Sequence, residues 1–169
     1  MSNEANILLQ IKRIHELLNQ HQIQLNPPLS DQDIQFYEKE NQATLPDEYR
    51  LFLNVIGNGG KGPYYGLYPL GKVNVEVHLQ DNQLEKRLVL CHEGCGYYFS
   101  LLCTGPHTGI MTYDHGSEEE PAPYERLVYG YGMYGVHYTF LDWYEHWLLS
   151  GAKTSQDLLR ELEPGNFKQ

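Results

Sequence analysis

The stretch VNVEVHL at residues 73–79 marks the change from helix to strand in this chain. Its apolar side chains alternate with polar ones, so one side of an extended backbone is apolar and the other is polar. This pattern predicts a half-buried strand. Three further β-rich segments follow, at residues 88–91, 97–103 and 110–113. A Gly/Pro-rich turn separates the last two, which are therefore predicted to form an antiparallel hairpin.

The first part of the chain carries apolar residues at helical spacing instead. They predict amphipathic helices over residues 4–20, 31–41 and 45–56. Ser30 and Asp33 form a capping-box pattern, in which the two side chains satisfy free backbone amides at the start of the second helix.

The third helix has recognisable signals at both ends. Pro46 is suited to its first turn, and the carboxylates of Asp47 and Glu48 favour the positive end of the helix dipole. Gly57 and Asn58 are expected to end the helix, because both residue types tolerate the left-handed conformation of a C-cap.

The last part of the chain returns to helical spacing. Thr139 with Asp142 is a second capping box, followed by an aromatic-rich helix, and a short terminal helix is expected to begin near Ser155. The order of elements predicts an α+β fold, a mostly antiparallel sheet with helices packed on it. We divide it into an N-terminal helix and linker, a central domain and a C-terminal helical tail: residues 1–28, 29–150 and 151–169.

The composition is that of a folded chain, with 41% hydrophobic residues and 14 tyrosines spread along 169 positions. Residues 1–4 lack the basic start of a secretory signal, and no apolar run approaches the roughly 18 residues of a membrane span. Three cysteines without an export signal fit reduced thiols. We therefore expect a soluble cytoplasmic protein with no membrane partner.

The charge balance narrows the choice of partner. The chain has 22 Asp and Glu against 12 Lys and Arg, a formal net charge of -10. Nucleic-acid binding needs a basic face, so this class of partner is disfavoured. A basic protein partner is favoured, because opposite charges accelerate association. The alternative is that the acidity only maintains solubility.

Several motifs in a fixed order resemble the SMI1/KNR4 (SUKH) superfamily. They are LPDEY at 45–49, IGNGG at 56–60, GPYYGLYPL at 62–70, HEGCGYY at 92–98, TGP at 104–106, YD at 113–114 and FLDWY at 140–144. The resemblance covers roughly residues 29–149. It implies structural roles for the glycines, prolines, cysteine and tryptophan of these motifs: Pro46, Gly57, Gly59, Gly60, Gly62, Pro63, Gly66, Gly94, Cys95, Gly96 and Trp143.

The resemblance also implies a function. Many bacterial members of the superfamily are immunity proteins that bind a cognate toxin, and eukaryotic relatives are linked to cell-wall regulation. We therefore expect a non-catalytic binding protein with a basic toxin, such as a nuclease, as its partner. The alternative is a regulatory interaction module without a toxin. The chain departs from the family pattern in its N-terminal helix, its acidic loop and the Tyr/Gly-rich stretch at 129–138.

Tyrosines and carboxylates are the candidates for a partner-binding surface, because tyrosine combines a large apolar ring with a hydrogen-bonding tip. Of Tyr97 and Tyr98, only one is expected to face the core, since neighbouring side chains in a strand point to opposite sides. The candidate contact residues are Tyr64, Tyr65, Tyr113, Asp114, Glu118, Glu119 and Glu120.

Three alternatives to a binding function are disfavoured. The run at 57–63 lacks the terminal Lys-Ser/Thr pair of a phosphate-binding loop. The zinc-binding residue types lack the spacing of a zinc knuckle: Cys91, His92, Cys95 and Cys103. Two kinds of catalytic pair are conceivable: Cys95 with His92, His107 or His115, and Asp114 with Glu118 or Glu120. Neither kind belongs to a recognisable acyl-transfer motif. We predict no catalytic residues, no metal and no cofactor.

Overall fold

The structure is a computed structural model of the chain, and it describes residues 3–80, 83–115 and 138–161. Within these ranges the helices and strands follow the order predicted from the sequence. They are α1 (Asn3–Gln20), α2 (Asp31–Asn41), α3 (Asp47–Val55), β1 (Asn74–Gln80), β2 (Gln83–Gly94), β3 (Tyr97–Leu102), β4 (Met111–His115), α4 (Phe140–Leu149) and α5 (Ser155–Glu161).

The four described strands form one antiparallel sheet in chain order, β1-β2-β3-β4. A row of apolar residues crosses it, because Val75 pairs with Leu88, Leu88 with Leu101 and Leu101 with Met111. The last three are completely buried. The helices cover this side of the sheet, so the predicted α+β fold with a mostly antiparallel sheet and packed helices is confirmed.

The alternating stretch at 73–79 forms a strand, but its apolar face is buried only at its start. Val73 is buried, whereas Val77 is 53% exposed and Leu84 in the neighbouring strand is 69% exposed. The β1–β2 hairpin therefore extends beyond the edge of the core. Alternation predicts which side a residue faces, and it does not predict how far the core reaches.

Both predicted capping boxes are present. Ser30 and Asp33 cap α2, and Thr139 and Asp142 cap α4, with each side chain bonded to the other residue's backbone amide. The third helix begins at Asp47, two residues later than the predicted start at residue 45. Pro46 is its N-cap residue, in an extended conformation, and not part of the first turn.

The predicted role of Gly57 and Asn58 as left-handed cap residues is wrong. Ile56 caps α3 with φ -98, and the left-handed residues come later, at Gly59 and Gly60. Gly57 is required for close packing, since a Cβ there would lie 2.7 Å from the carbonyl oxygen of Asn26. Glycine marks both situations, and the sequence does not distinguish them.

The N-terminal helix is an integral part of the core. Ile11, Ile14 and Leu18 are buried in the same apolar cluster as the sheet and the other helices. On its outer side, Arg13 pairs with Glu145 of α4 at 2.7 Å. None of the helices within the described ranges is long and apolar enough to cross a membrane.

Candidate functional site

A glycine-rich loop between α3 and β1 carries Tyr64 and Tyr65, and backbone hydrogen bonds fix it in place. Gly60 and Leu67 exchange two such bonds, of 2.9 and 3.0 Å, which close the loop. The amide of Tyr65 donates to the carbonyl of His92 in β2 at 3.3 Å. The loop is thereby attached to the strand that it covers.

Two glycines of this loop tolerate no side chain. A Cβ on Gly59, where φ is +71, would lie 2.6 Å from the backbone nitrogen of Pro69. A Cβ on Gly66, where φ is +101, would lie 2.7 Å from the carbonyl oxygen of Gly60. Tyr64 itself has φ 55, an uncommon backbone conformation for a bulky residue. The position of the two tyrosines therefore depends on a tightly constrained backbone.

Four aromatic rings stack in a series across the end of the β2–β3 hairpin. Tyr97 stacks on Tyr113 with 5.2 Å between ring centroids, Tyr113 packs on Phe99 at 4.8 Å, and Phe99 stacks on Tyr64 at 5.0 Å. The hydroxyl of Tyr113 donates a short hydrogen bond to the carboxylate of Glu93. A carboxylate is thus held within this aromatic series.

A second series of rings lies on the other side of the same hairpin end. The imidazole of His92 packs between Tyr65, at 5.5 Å, and Tyr98, at 4.9 Å. The turn between the two strands passes beside it, because a Cβ on Gly94 would lie 3.3 Å from the Tyr65 ring. We call the two series together the hairpin-end tyrosine surface: Tyr64, Tyr65, His92, Glu93, Tyr97, Tyr98, Phe99 and Tyr113.

This surface presents aromatic rings to solvent. Tyr65 is 54% exposed and Tyr97 is 36% exposed. A cavity of about 440 Å³ opens beside Tyr65, between its loop and α5, and Lys61 and Arg160 are among the residues that line it. The arrangement offers flat rings, a carboxylate and an adjoining cavity to a partner.

The comparison with protein families identifies the scaffold that carries this surface. The family model for the SMI1 / KNR4 family (SUKH-1) matches residues 28–145, well over half of the chain. The chain belongs to the SMI1/KNR4 family. No curated protein and no solved structure matches it.

The residues that carry the SMI1/KNR4 motifs lie at the junctions around the tyrosine surface. Most belong to the loop or to the hairpin turn: Gly57, Gly59, Gly60, Gly62, Pro63, Gly66, Gly94, Cys95 and Gly96. Pro46 caps α3 and Trp143 of α4 packs on Phe99 at 5.4 Å between ring centroids. The motifs of this family thus both surround the surface and include its exposed rings, since Tyr65 lies in GPYYGLYPL at 62–70 and Tyr97 in HEGCGYY at 92–98.

Three of the candidate contact residues proposed from their side-chain chemistry lie at this surface: Tyr64, Tyr65 and Tyr113. Asp114 is the register partner of Tyr98 in the sheet. The acidic residues of the loop, and nearly all of the Tyr/Gly-rich stretch, lie outside the described residues: Glu118, Glu119, Glu120 and residues 129–137. Their part in binding stays a prediction.

Tyr97 and Tyr98 point to opposite sides of the sheet, as alternation predicts. Tyr97 lies on the side of the core residue Phe99, yet it is the more exposed of the two tyrosines, because the core ends before this position. The sequence indicated neither the contact of Tyr113 with Glu93 nor the stacking of Tyr64 on Phe99. Both join residues far apart in the chain, and no local signal reports them.

The three cysteines differ in their surroundings. Cys91 and Cys103 are buried, as predicted, and Cys95 is exposed in the hairpin turn. Burial raises the pKa of the Cys103 thiol to about 12 and raises that of Cys91 as well. The Cys91 thiol also donates to the carbonyl of Pro63 at 3.1 Å. These two thiols are held in the protonated form, which is neither nucleophilic nor metal-binding.

The described part of the chain contains no cluster of three or more His, Cys, Asp or Glu side chains arranged to hold a metal ion. His92 and Cys95 lie in the same hairpin, but the imidazole of His92 is occupied in stacking between two tyrosine rings.

Proposed function

We propose that this SMI1/KNR4 protein is a non-catalytic immunity protein that binds and neutralises a cognate bacterial toxin in the cytoplasm. The observation that carries this proposal is the hairpin-end tyrosine surface, where Tyr65 and Tyr97 expose their rings on a rigid backbone. Tyrosine is enriched at the centre of protein interfaces, where its ring is buried and its hydroxyl finds a partner.

Pre-organisation supports a recognition role. Stacking contacts hold Tyr97 against Tyr113 and Tyr65 against His92 before any partner arrives. Binding then costs little side-chain entropy, and more of the contact energy is retained as affinity. The left-handed backbone of Tyr64 and Cys95 fits this role as well, because strained conformations concentrate at functional sites.

Charge supports a basic partner. The chain carries a formal net charge of -10, and Glu93 places a carboxylate within the tyrosine surface. If the toxin is a nuclease, its substrate groove is basic, and an acidic protein surface competes with nucleic acid for it. The acidic loop residues Glu118, Glu119 and Glu120 belong to the same proposal.

The mechanism that follows is stoichiometric occlusion. The tyrosine rings pack against the toxin, and the carboxylates pair with its cationic groups, so that the toxin's active site is covered or distorted. No covalent chemistry is needed from the immunity protein, which agrees with the buried, protonated thiols of Cys91 and Cys103.

The test is capture of partners on the tagged full-length chain, at low and high salt, from cells that express the genes beside its own. We expect one basic toxin to be retained at low salt and released at high salt, and the chain to rescue cells from that toxin. Recovery of a cellular enzyme, with no protection from any neighbouring toxin, would contradict immunity and favour a regulatory module.

A pair of charge-reversal variants sharpens this test. Glu93→Lys changes the charge within the tyrosine surface, and Glu40→Lys makes the same change at an exposed position of α2. We expect Glu93→Lys to weaken toxin binding at least tenfold, as expected when a carboxylate that faces a cation is replaced by a like charge. Equal losses in both variants would mean that only the net charge matters.

A further inference from the structure

The side of the sheet that faces away from the helices contains a cavity of about 380 Å³. Its floor is formed by Val89 and Ser100, which are register partners and lie one position along from the buried pair Leu88 and Leu101. Seven described residues line it, and six of them carry polar or phenolic side chains: Tyr68, Asn74, Glu76, Arg87, Val89, Tyr98 and Ser100. Its volume is within the range of small-molecule sites.

Ser100 is the feature that points to a ligand. It is completely buried, and its hydroxyl oxygen has no hydrogen-bond partner among the residues that the structure describes. The backbone of the same residue is satisfied, since Thr112 donates its hydroxyl to the Ser100 carbonyl at 3.3 Å. Buried hydroxyls without partners are uncommon in folded proteins. A ligand hydroxyl placed in the cavity would supply the missing bond.

The charges of the cavity neutralise each other. Nε and Nη2 of Arg87 donate to the same oxygen of Glu76, at 2.9 and 2.6 Å. The Arg87 side chain is 9% exposed and that of Glu76 is 43% exposed. An anionic or cationic ligand would have to compete with this pair, and separating a partly buried ion pair is unfavourable. The cavity is therefore matched to an uncharged molecule.

The remaining walls combine flat rings with groups that both donate and accept hydrogen bonds. Tyr68 is fixed by a 2.9 Å bond from its amide to the Leu90 carbonyl, and the Tyr98 ring packs on His92. Phenol, serine hydroxyl and amide groups can each both donate and accept hydrogen bonds. The hydroxyls of a polyol have the same capacity and would match them. The tyrosine rings give an apolar surface to the C–H groups between those hydroxyls.

We propose that this cavity binds a small, uncharged, hydroxyl-rich molecule of monosaccharide size, with the Ser100 hydroxyl bonded to one of its oxygens. The inference does not rest on the proposed immunity function, because it needs no protein partner. Tyr98 lines the cavity and also belongs to the tyrosine surface, where it packs on His92, so the two sites share this residue.

The experiment is an NMR titration of the ¹⁵N-labelled full-length chain with glucose, galactose and myo-inositol at millimolar concentration. We expect at least one of these to shift the backbone signals of Ser100 and Tyr98. Glucosamine and glucose 6-phosphate, which carry a charge on a similar ring, should bind at least tenfold more weakly than the neutral compound. Absence of shifts with all three neutral compounds, or equal binding of a charged analogue, would overturn the proposal.

Two variants separate binding from folding. Ser100→Ala should weaken ligand binding roughly tenfold, the effect of one lost hydrogen bond, and should not lower the melting temperature of the ligand-free protein, because the hydroxyl has no partner there. Thr112→Val removes a neighbouring hydroxyl that does not line the cavity and should lower stability while preserving affinity. Unchanged affinity in Ser100→Ala would contradict the assigned role of this hydroxyl.

Discussion

Two groups of aromatic side chains in this molecule have different surroundings. Between α3 and α4, Phe52 makes edge-to-face contacts with Phe140 and Tyr144, at 4.9 and 5.1 Å between centroids. All three rings are almost completely buried. At the hairpin end, Tyr97 and Tyr65 each stack on one neighbouring ring and remain exposed. Aromatic side chains are therefore buried in the first group, which we call the enclosed group, and partly exposed to solvent in the second, which we call the displayed group.

The difference lies in what supports each ring. Helices and the sheet enclose the first group, so its rings contribute mainly through burial and packing. A loop and a hairpin turn support the second group, in which Tyr65 and Tyr97 remain partly exposed. The first group should therefore determine stability, and the second should determine binding.

The largest expected effect is on the enclosed group. Phe52→Ala should lower the free energy of unfolding by about 3–5 kcal/mol, because it removes a buried ring and leaves a cavity among Phe140 and Tyr144. Urea unfolding measures the change, and Phe52→Leu, which keeps most of the volume, should cost less. A loss below 1 kcal/mol in Phe52→Ala would show that this cluster does not hold the fold together.

A smaller loss is expected in the loop that supports the displayed group. Gly59→Ala should cost about 1–3 kcal/mol, since alanine disfavours the left-handed backbone and its Cβ meets the backbone at Pro69. Gly71→Ala is the control, because φ there is not left-handed and a Cβ would meet nothing within 4 Å. Similar melting temperatures for both variants would contradict the constraint inferred for this loop.

Alkaline pH should lower the stability of the protein through ionisable groups that are buried in the folded state. Burial raises the pKa of Cys103 from 9.0 to about 12 and that of Tyr37 from 10.0 to about 12. Both groups keep their proton in the folded state when the unfolded chain has already lost it. Their contribution to the free energy of unfolding is complete below about pH 9 and disappears as the pH rises towards about 12.

Unfolding measured across this range should show stability falling as pH rises. Cys103→Ala should make the fall shallower, because it removes one of the buried groups whose pKa is raised. A flat profile in the unaltered protein would show that the buried groups ionise as easily as exposed ones do.

Local patterns in the sequence account for most of the fold. The capping pairs Ser30–Asp33 and Thr139–Asp142 act within one helical turn, and alternation at 73–79 acts within one strand, so a sequence reading finds them. The exposure of Val77 depends on where the core ends. The mistaken cap at Gly57 arose because glycine serves both left-handed turns and close packing.

The candidate site was less accessible to sequence reasoning. Composition singled out tyrosines, and three of the predicted ones meet at the hairpin end. Their arrangement depends on sheet register and on the loop path, which bring Tyr64 onto Phe99 and Glu93 onto Tyr113. Such contacts between distant residues leave no periodicity in the sequence, and only a structure reveals them.

The smallest effect on stability is expected for the displayed rings. The double variant Tyr65→Ala/Tyr97→Ala should lower the free energy of unfolding by about 1 kcal/mol or less, since both rings are partly exposed. Thermal unfolding beside the unaltered protein measures this. A loss comparable to that of Phe52→Ala would mean that these tyrosines hold the fold together.

The most direct test of the account is toxin capture by this double variant, with Phe36→Ala as the control because Phe36 is 67% exposed on α2. The account predicts that the double variant loses toxin binding by a hundredfold or more, as removal of two interface anchors does, while Phe36→Ala binds normally. Full binding by a folded double variant would contradict the claim that the hairpin-end tyrosine surface recognises the toxin.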